Sequence, residues 1–131
     1  MKLLGGLGYD VVIIDNLSTG HRAAIKSGEL LVGDLADLNF MESVFKKYNF
    51  DAVVHFAGSI VVPESVENPI KYYKNNTENS LNLINLCLKY EVDKFVFSST
   101  AAVYGQIQDG IADETSPTKP INPYGRSKLL T

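Results

Sequence analysis

Apolar residues fall along this chain in two alternating patterns. Short continuous runs stand at Val11 to Ile14, Leu30 to Val32, Ala52 to Phe56 and Phe95 to Phe97. Between them, apolar residues recur every three or four positions. Continuous β-branched and aromatic runs of this length suit parallel strands buried on both faces. The spacing of Met41, Val44, Phe45 and Tyr48 predicts a helix capped by Asp37. Pro69 suits the first position of a long helix, with Tyr73, Thr77, Leu81, Ile84 and Leu88 as its apolar stripe. A short helical stretch is expected around His21 to Lys26. Ser59 to Asn68 and Ala101 to Ile121 read as loops. Strands alternating with helices predict an α/β domain with a parallel sheet.

The opening glycines, Gly5-Gly6-Leu7-Gly8, invite reading as a phosphate-binding loop. Such a loop needs a strand before it, a helix after it and an acid about 20 residues further on. Here a strand follows, and its acid, Asp15, comes too soon. The better reading is the glycine-capped end of a helix turning into a strand from Tyr9.

Each run ends in small or polar residues: Asp15, Asp34, Ala57-Gly58 and Ser98 to Thr100. Ligands of parallel sheets bind at that edge. Near the end of the chain, Asn122 is a helix N-cap and Pro123 a first helical residue. Tyr124 and Lys128 then lie at i and i+4 on one face. An ammonium beside a phenol favours the phenolate, and such a tyrosine can take or give a proton at an alcohol. The pair alone is a weak pattern, for which a surface helix that happens to carry a Tyr and a Lys is the better reading.

Composition narrows the classes. The chain has 131 residues, 45% hydrophobic and 21% charged, with a formal net charge of -3. That allows one domain and gives no basic stripe for nucleic acid. The single cysteine, Cys87, excludes an internal disulfide and fits a buried thiol in a reducing, cytoplasmic compartment. No apolar run approaches ~20 residues, so no membrane span is expected. His21 and His55 have no metal-ligand spacing, and His55 reads as a core histidine.

Taken in order, several stretches resemble the extended short-chain dehydrogenase/reductase superfamily, and within it the UDP-glucose 4-epimerases. They are Asp15-Asn16-Leu17-Ser18-Thr19-Gly20-His21, Gly33-Asp34-Leu35, His55-Phe56-Ala57-Gly58, Glu64-Ser65-Val66, Tyr72-Tyr73-Lys74-Asn75-Asn76, Phe97-Ser98-Ser99-Thr100-Ala101-Ala102-Val103-Tyr104-Gly105 and Asn122-Pro123-Tyr124-Gly125-Arg126-Ser127-Lys128. The resemblance implies a Rossmann-like, doubly wound parallel sheet over residues 1–131. It implies NAD as cofactor, a UDP-sugar as substrate and a homodimeric parent enzyme.

By the same resemblance, Asp15 would hold the adenosine ribose, and its charge would favour NAD over NADP. Asn16, Leu17, Ser18, Thr19 and Gly20 would line that region, and Asp34 and Leu35 would meet the adenine. Phe56, Ala57 and Gly58 would pass close to the dinucleotide, and Asn75 would lie on the nicotinamide side. Thr100 would hold the substrate hydroxyl with Tyr124, the general acid and base. Lys128 would tune Tyr124 and hold the nicotinamide ribose. Related dehydratases carry acids just after the Ser/Thr. Here Ala101 and Ala102 follow Thr100, which favours C4 epimerisation through a 4-keto sugar. A lysine that some epimerases carry after the Ala-Gly turn is Ile60.

The family's opening strand and glycine-rich pyrophosphate loop have no counterpart in these 131 residues, nor does its C-terminal substrate domain. The expected sheet is therefore incomplete, without its central strand. The strands at Val11 and Ala52 would then stand unpaired across a gap of about 10 Å, two strand spacings. A weak NAD affinity and no turnover are expected of the chain by itself. A dehydratase, a reductase or a non-catalytic interaction module are the alternatives.

Overall fold

A computed structural model describes residues 1–107 and 110–131. The part of the expected 101–121 loop that falls on Gln108 and Asp109 lies outside the described residues.

The chain opens with helix α1 (Lys2–Gly6), which ends at Gly8 with φ of 84°. The expected glycine-terminated helix end is present, and the strand after it, β1 (Val12–Asp15), starts three residues later than Tyr9. A 3-10 turn (Arg22–Ala24) leads to β2 (Glu29–Val32) and then to α2 (Leu38–Lys47). The Asp37 carboxylate accepts from Phe40 N at 3.0 Å, as its place before the helix predicts. Next come β3 (Val53–His55), α3 (Val62–Glu67) and α4 (Pro69–Tyr72). A π-helical stretch (Tyr73–Glu78) runs from α4 into α5 (Asn79–Lys89). After β4 (Phe95–Phe97), a 3-10 turn (Ala101–Val103) and a loop, the chain reaches α6 (Pro123–Leu130).

β1 pairs in parallel with β2, and β3 in parallel with β4. Among the described residues β1 and β3 do not pair with each other. This is the pattern of a doubly wound sheet without its central strand. The core lies between α2, α5 and the strands: Met41, Phe45, Leu83, Leu86, Cys87 and Val92, with Ile14, Val53 and Phe95 packed against it. Cys87 is buried, as expected.

Three expectations need correction. The strands are not buried on both faces. Val54 and Val96, paired in register, are both exposed, while His55 on the opposite face is buried. In the β3–β4 pair one face is packed and the other open, and in β1 and β2 no residue is fully buried. Ser59 to Asn68 is not all loop, since α3 lies within it. Its first turn carries Pro63, and Glu64 there complements the positive helix end.

The stripe of the long helix also faces the wrong way. Leu81 is 56% and Leu88 73% exposed, whereas Tyr72, Asn76, Ser80, Leu83 and Cys87 are buried. The buried face is polar over its first half, where it bonds to neighbouring segments, so hydrophobic spacing points to the other side.

Candidate functional site

Helix α6 starts where its sequence says. Asn122 Oδ1 accepts from Gly125 N at 2.8 Å, and Pro123 needs no such bond. The helix lies tight against the turn after β4. A Cβ on Gly125 would fall 2.5 Å from Ala102 O, so only glycine permits the approach. That brings Tyr124 to the segment headed by Thr100, whose Oγ1 accepts from Ala102 N at 3.2 Å and keeps its own proton to donate. Tyr124 is half-buried, its ring edge-on to Tyr72 with centroids 6.3 Å apart.

Lys128 is only 4% exposed. Its Nζ donates to Ser98 O at 3.0 Å and sits 4.8 Å over the Phe97 ring. Burial lowers its pKa from the ordinary lysine value. Among the described residues no hydrogen bond joins it to Tyr124. The ammonium instead marks the carboxyl end of β4, beside Gly58, where a Cβ would come within 3.3 Å of Nζ and 2.9 Å of Asn76 Oδ1.

Asn76 is the residue that sequence reasoning missed. It is 1% exposed. Its Oδ1 accepts from Ser59 N at 2.7 Å, and its Nδ2 donates to Ser59 O at 2.9 Å and to Ser127 Oγ at 3.0 Å. One amide thus ties the turn after β3 to the helix of Tyr124 and Lys128. The available signal was a polar pair, Asn75-Asn76, within an otherwise amphipathic helix. Asn75 lies one residue away and donates to Ser59 Oγ at 2.9 Å.

The second sheet edge gathers the other residues. Asp15 Oδ1 accepts from Leu17 N at 2.7 Å. Leu17 itself has φ of 55°, and Asn16 Oδ1 accepts from Ser18 N, so the loop turns tightly around the carboxylate. At Gly20 a Cβ would stand 3.0 Å from Asp15 Oδ2. Ser18 and Thr19 are exposed at the tip. Asp34 closes the same edge, its two oxygens accepting from Asn16 Nδ2 at 2.7 Å and Ala36 N at 2.9 Å. The Ala36 bond first and the Asn16 bond second hold its carboxyl below the usual range. Leu35 turns its side chain to the core.

At the end of β3, Phe56 is 73% exposed, Ala57 is also exposed, and Gly58 follows. The sites expected from the sequence therefore divide between the ends of two strand pairs. Asp15 to Gly20, Asp34 and Leu35 stand at one, and Phe56 to Gly58, Asn75, Thr100, Tyr124 and Lys128 at the other.

Known proteins share this fold. The profile of the "NAD dependent epimerase/dehydratase family" matches residues 1–131. A UDP-glucose 4-epimerase of Azospirillum brasilense is 54% identical over the whole chain, which spans 38% of that relative's length. The UDP-Glc/GlcNAc 4-epimerase structure from Campylobacter jejuni is 48% identical with a TM-score of 0.88, over 98% of this chain and 41% of that one. The UDP-glucose 4-epimerase structure from Bifidobacterium longum, in complex with NAD+ and UDP, is 40% identical with a TM-score of 0.92, again over 98% and 41%. The strand pairs are thus those of an incomplete Rossmann fold. The chain belongs to the NAD dependent epimerase/dehydratase family.

Proposed function

We propose that residues 1–131 form part of the NAD-binding domain of a longer enzyme that inverts C4 of a UDP-hexose, interconverting UDP-glucose and UDP-galactose. The observation that carries this reading is the placing of Lys128. A buried ammonium at the end of β4, on the helix of Tyr124 and beside the Thr100 turn, is an acid–base site rather than a solvated surface pair.

The residues fit NAD. Asp15 uses Oδ1 for Leu17 N, and its other oxygen faces the Gly20 turn, free among the described residues to accept from a ribose hydroxyl. Its charge opposes a 2′-phosphate. Asn16, Ser18 and Thr19 offer polar groups at the same edge, and Gly58 offers close backbone approach beside Lys128. NAD, when bound, supplies the acceptor and donor of hydride. Tyr124 takes the proton of the sugar 4-hydroxyl and returns it to the 4-keto oxygen once the sugar has presented its other face. Thr100 donates to that oxygen and holds it near Tyr124. Lys128 keeps positive charge where the phenolate forms, which stabilises it. Asn75, held by Ser59, stands on the same side of the cleft.

Ala101 and Ala102 carry no proton-transfer group beside Thr100, which favours epimerisation over dehydration. The parent is proposed as a homodimer, with the exposed aliphatic stripe of α5, Leu81 and Leu88, covered by a second copy. The whole protein, given UDP-galactose and NAD, should yield UDP-glucose without net consumption of NAD. A product that has lost water would assign it to the dehydratases instead.

A further inference from the structure

His55 ends β3 and is 3% exposed, yet no step proposed above uses it. Its Nε2 lies 2.7 Å from Ser80 Oγ. The Ser80 hydroxyl has one proton, and it is given to Asn76 O, 2.5 Å away. Ser80 must therefore accept from the imidazole, which places the ring proton on Nε2. Phe95 and Phe97 flank the ring, with centroids at 6.0 and 5.6 Å.

The bonds continue past Ser80. The Thr131 hydroxyl, with one proton, lies 2.9 Å from Asn76 O and 3.0 Å from Ser127 O and donates to one or the other. The Asn76 side chain holds Ser59 and Ser127. A continuous chain thus runs from β3, through the π-helical stretch, to α6. A serine bonding the carbonyl four residues before it bends a helix, and π-helical turns concentrate at functional sites. Here the serine is itself anchored from outside the helix, by a strand.

We propose that His55 and Ser80 are positioning residues for the acid–base pair. They fix the Asn76 turn, and its amide then sets the spacing between the Gly58–Ser59 turn and the helix of Tyr124 and Lys128. This inference rests on the reading of Tyr124 and Lys128 given above. Burial first, and the Lys128 ammonium second, push the imidazole down to about 4. The ring therefore holds Ser80 without adding a second cation beside Lys128.

The test uses the full-length protein with His55→Phe, His55→Gln and Ser80→Ala. Glutamine keeps an N–H donor; phenylalanine does not. Hydrogen exchange of the amides at 58–59 and 127–131 should quicken about tenfold in His55→Phe and Ser80→Ala, with the α2 amides unchanged, as suits the loss of one buried hydrogen bond. His55→Gln should stay near wild type. In the same variants kcat should fall about tenfold, with KM for the UDP-sugar unmoved and His55→Gln rescued. Should His55→Phe fail to fold, Ser80→Ala, which removes one oxygen, carries the comparison. Unchanged exchange at both segments overturns the proposal, as does a His55→Gln variant no better than His55→Phe. A wild type that does not epimerise defeats the proposed function instead, while the exchange comparison still decides the network.

Discussion

Lys128 Nζ donates to the carbonyl oxygen of Ser98 at 3.0 Å, joining the sixth residue of α6 to the residue that follows β4, 30 positions earlier. The ammonium is buried there at a desolvation cost, which is why its pKa is lowered. Replacing it by a flexible apolar chain removes the cost along with the chemistry. Lys128→Met should reduce turnover of the full-length enzyme about 100-fold or more, while Tm holds or rises. Paired turnover and thermal-unfolding measurements check this. A Tm fall beyond about 8 °C would make Lys128 a structural residue first.

Tyr124 is assigned the proton transfer, and its ring is set by Tyr72. Tyr124→Phe keeps the ring contact and removes the hydroxyl. Epimerisation should drop by about 10²- to 10⁴-fold, with NAD affinity little changed. Equal losses in both would mean that the hydroxyl serves binding.

Asn76 makes three side-chain hydrogen bonds in a site closed to water. Asn76→Ala leaves Ser59 N, Ser59 O and Ser127 Oγ without those partners. A loss of about 2–4 kcal/mol in unfolding free energy is expected, read from denaturant midpoints at constant m. A loss under about 0.5 kcal/mol would show that the junction is dispensable.

Helix α6 was legible because Asn122-Pro123 encodes its start in two residues, and α2 because Asp37 does the same with apolar spacing behind it. The sequence pattern singled out Tyr124, Thr100 and Lys128, and the structure brings their segments together, which leaves their roles a proposal. The long helix was misread because hydrophobic periodicity takes polarity for exposure. Asn76 and Ser80 are polar and buried, bonded to Ser59, Ser127 and His55 on segments the local sequence does not announce. Nor does any local signal tell that Asn16 is tied to Asp34 across 18 positions.

His55 carries a pH dependence of known sign. Its folded pKa of about 4 lies below the ordinary 6.5, so the unfolded chain binds more protons between these values. Stability therefore rises with pH across that window and is lost as pH falls from about 6.5 towards 4, by about 3 kcal/mol if this group acts alone. Denaturation of wild type and His55→Gln between pH 7 and 4 should show a steeper slope in the wild type. Parallel slopes would place the acid sensitivity elsewhere.

Asp15 predicts cofactor choice. Asp15→Ala removes the acceptor at the Gly20 turn and the charge opposed to a 2′-phosphate. NAD affinity should weaken about tenfold and NADP discrimination should narrow, measured by titration of both dinucleotides. A variant with unchanged preference would remove Asp15 from the binding edge.

The π-helical stretch Tyr73–Glu78 runs between α4 and α5. The wider turn does not break the buried face: Tyr72, Asn76, Ser80, Leu83 and Cys87 follow one another through it at steps of three or four residues. Ahead of it and through it, amides and hydroxyls point inward and hold the site. Beyond it Asn79 and Ser80 still face inward, and from Leu83 on the inward residues, Leu83, Leu86 and Cys87, are apolar, while Leu81 and Leu88 look out. One continuous buried face thus braces the Ser59 turn and α6 at one end and packs the core at the other.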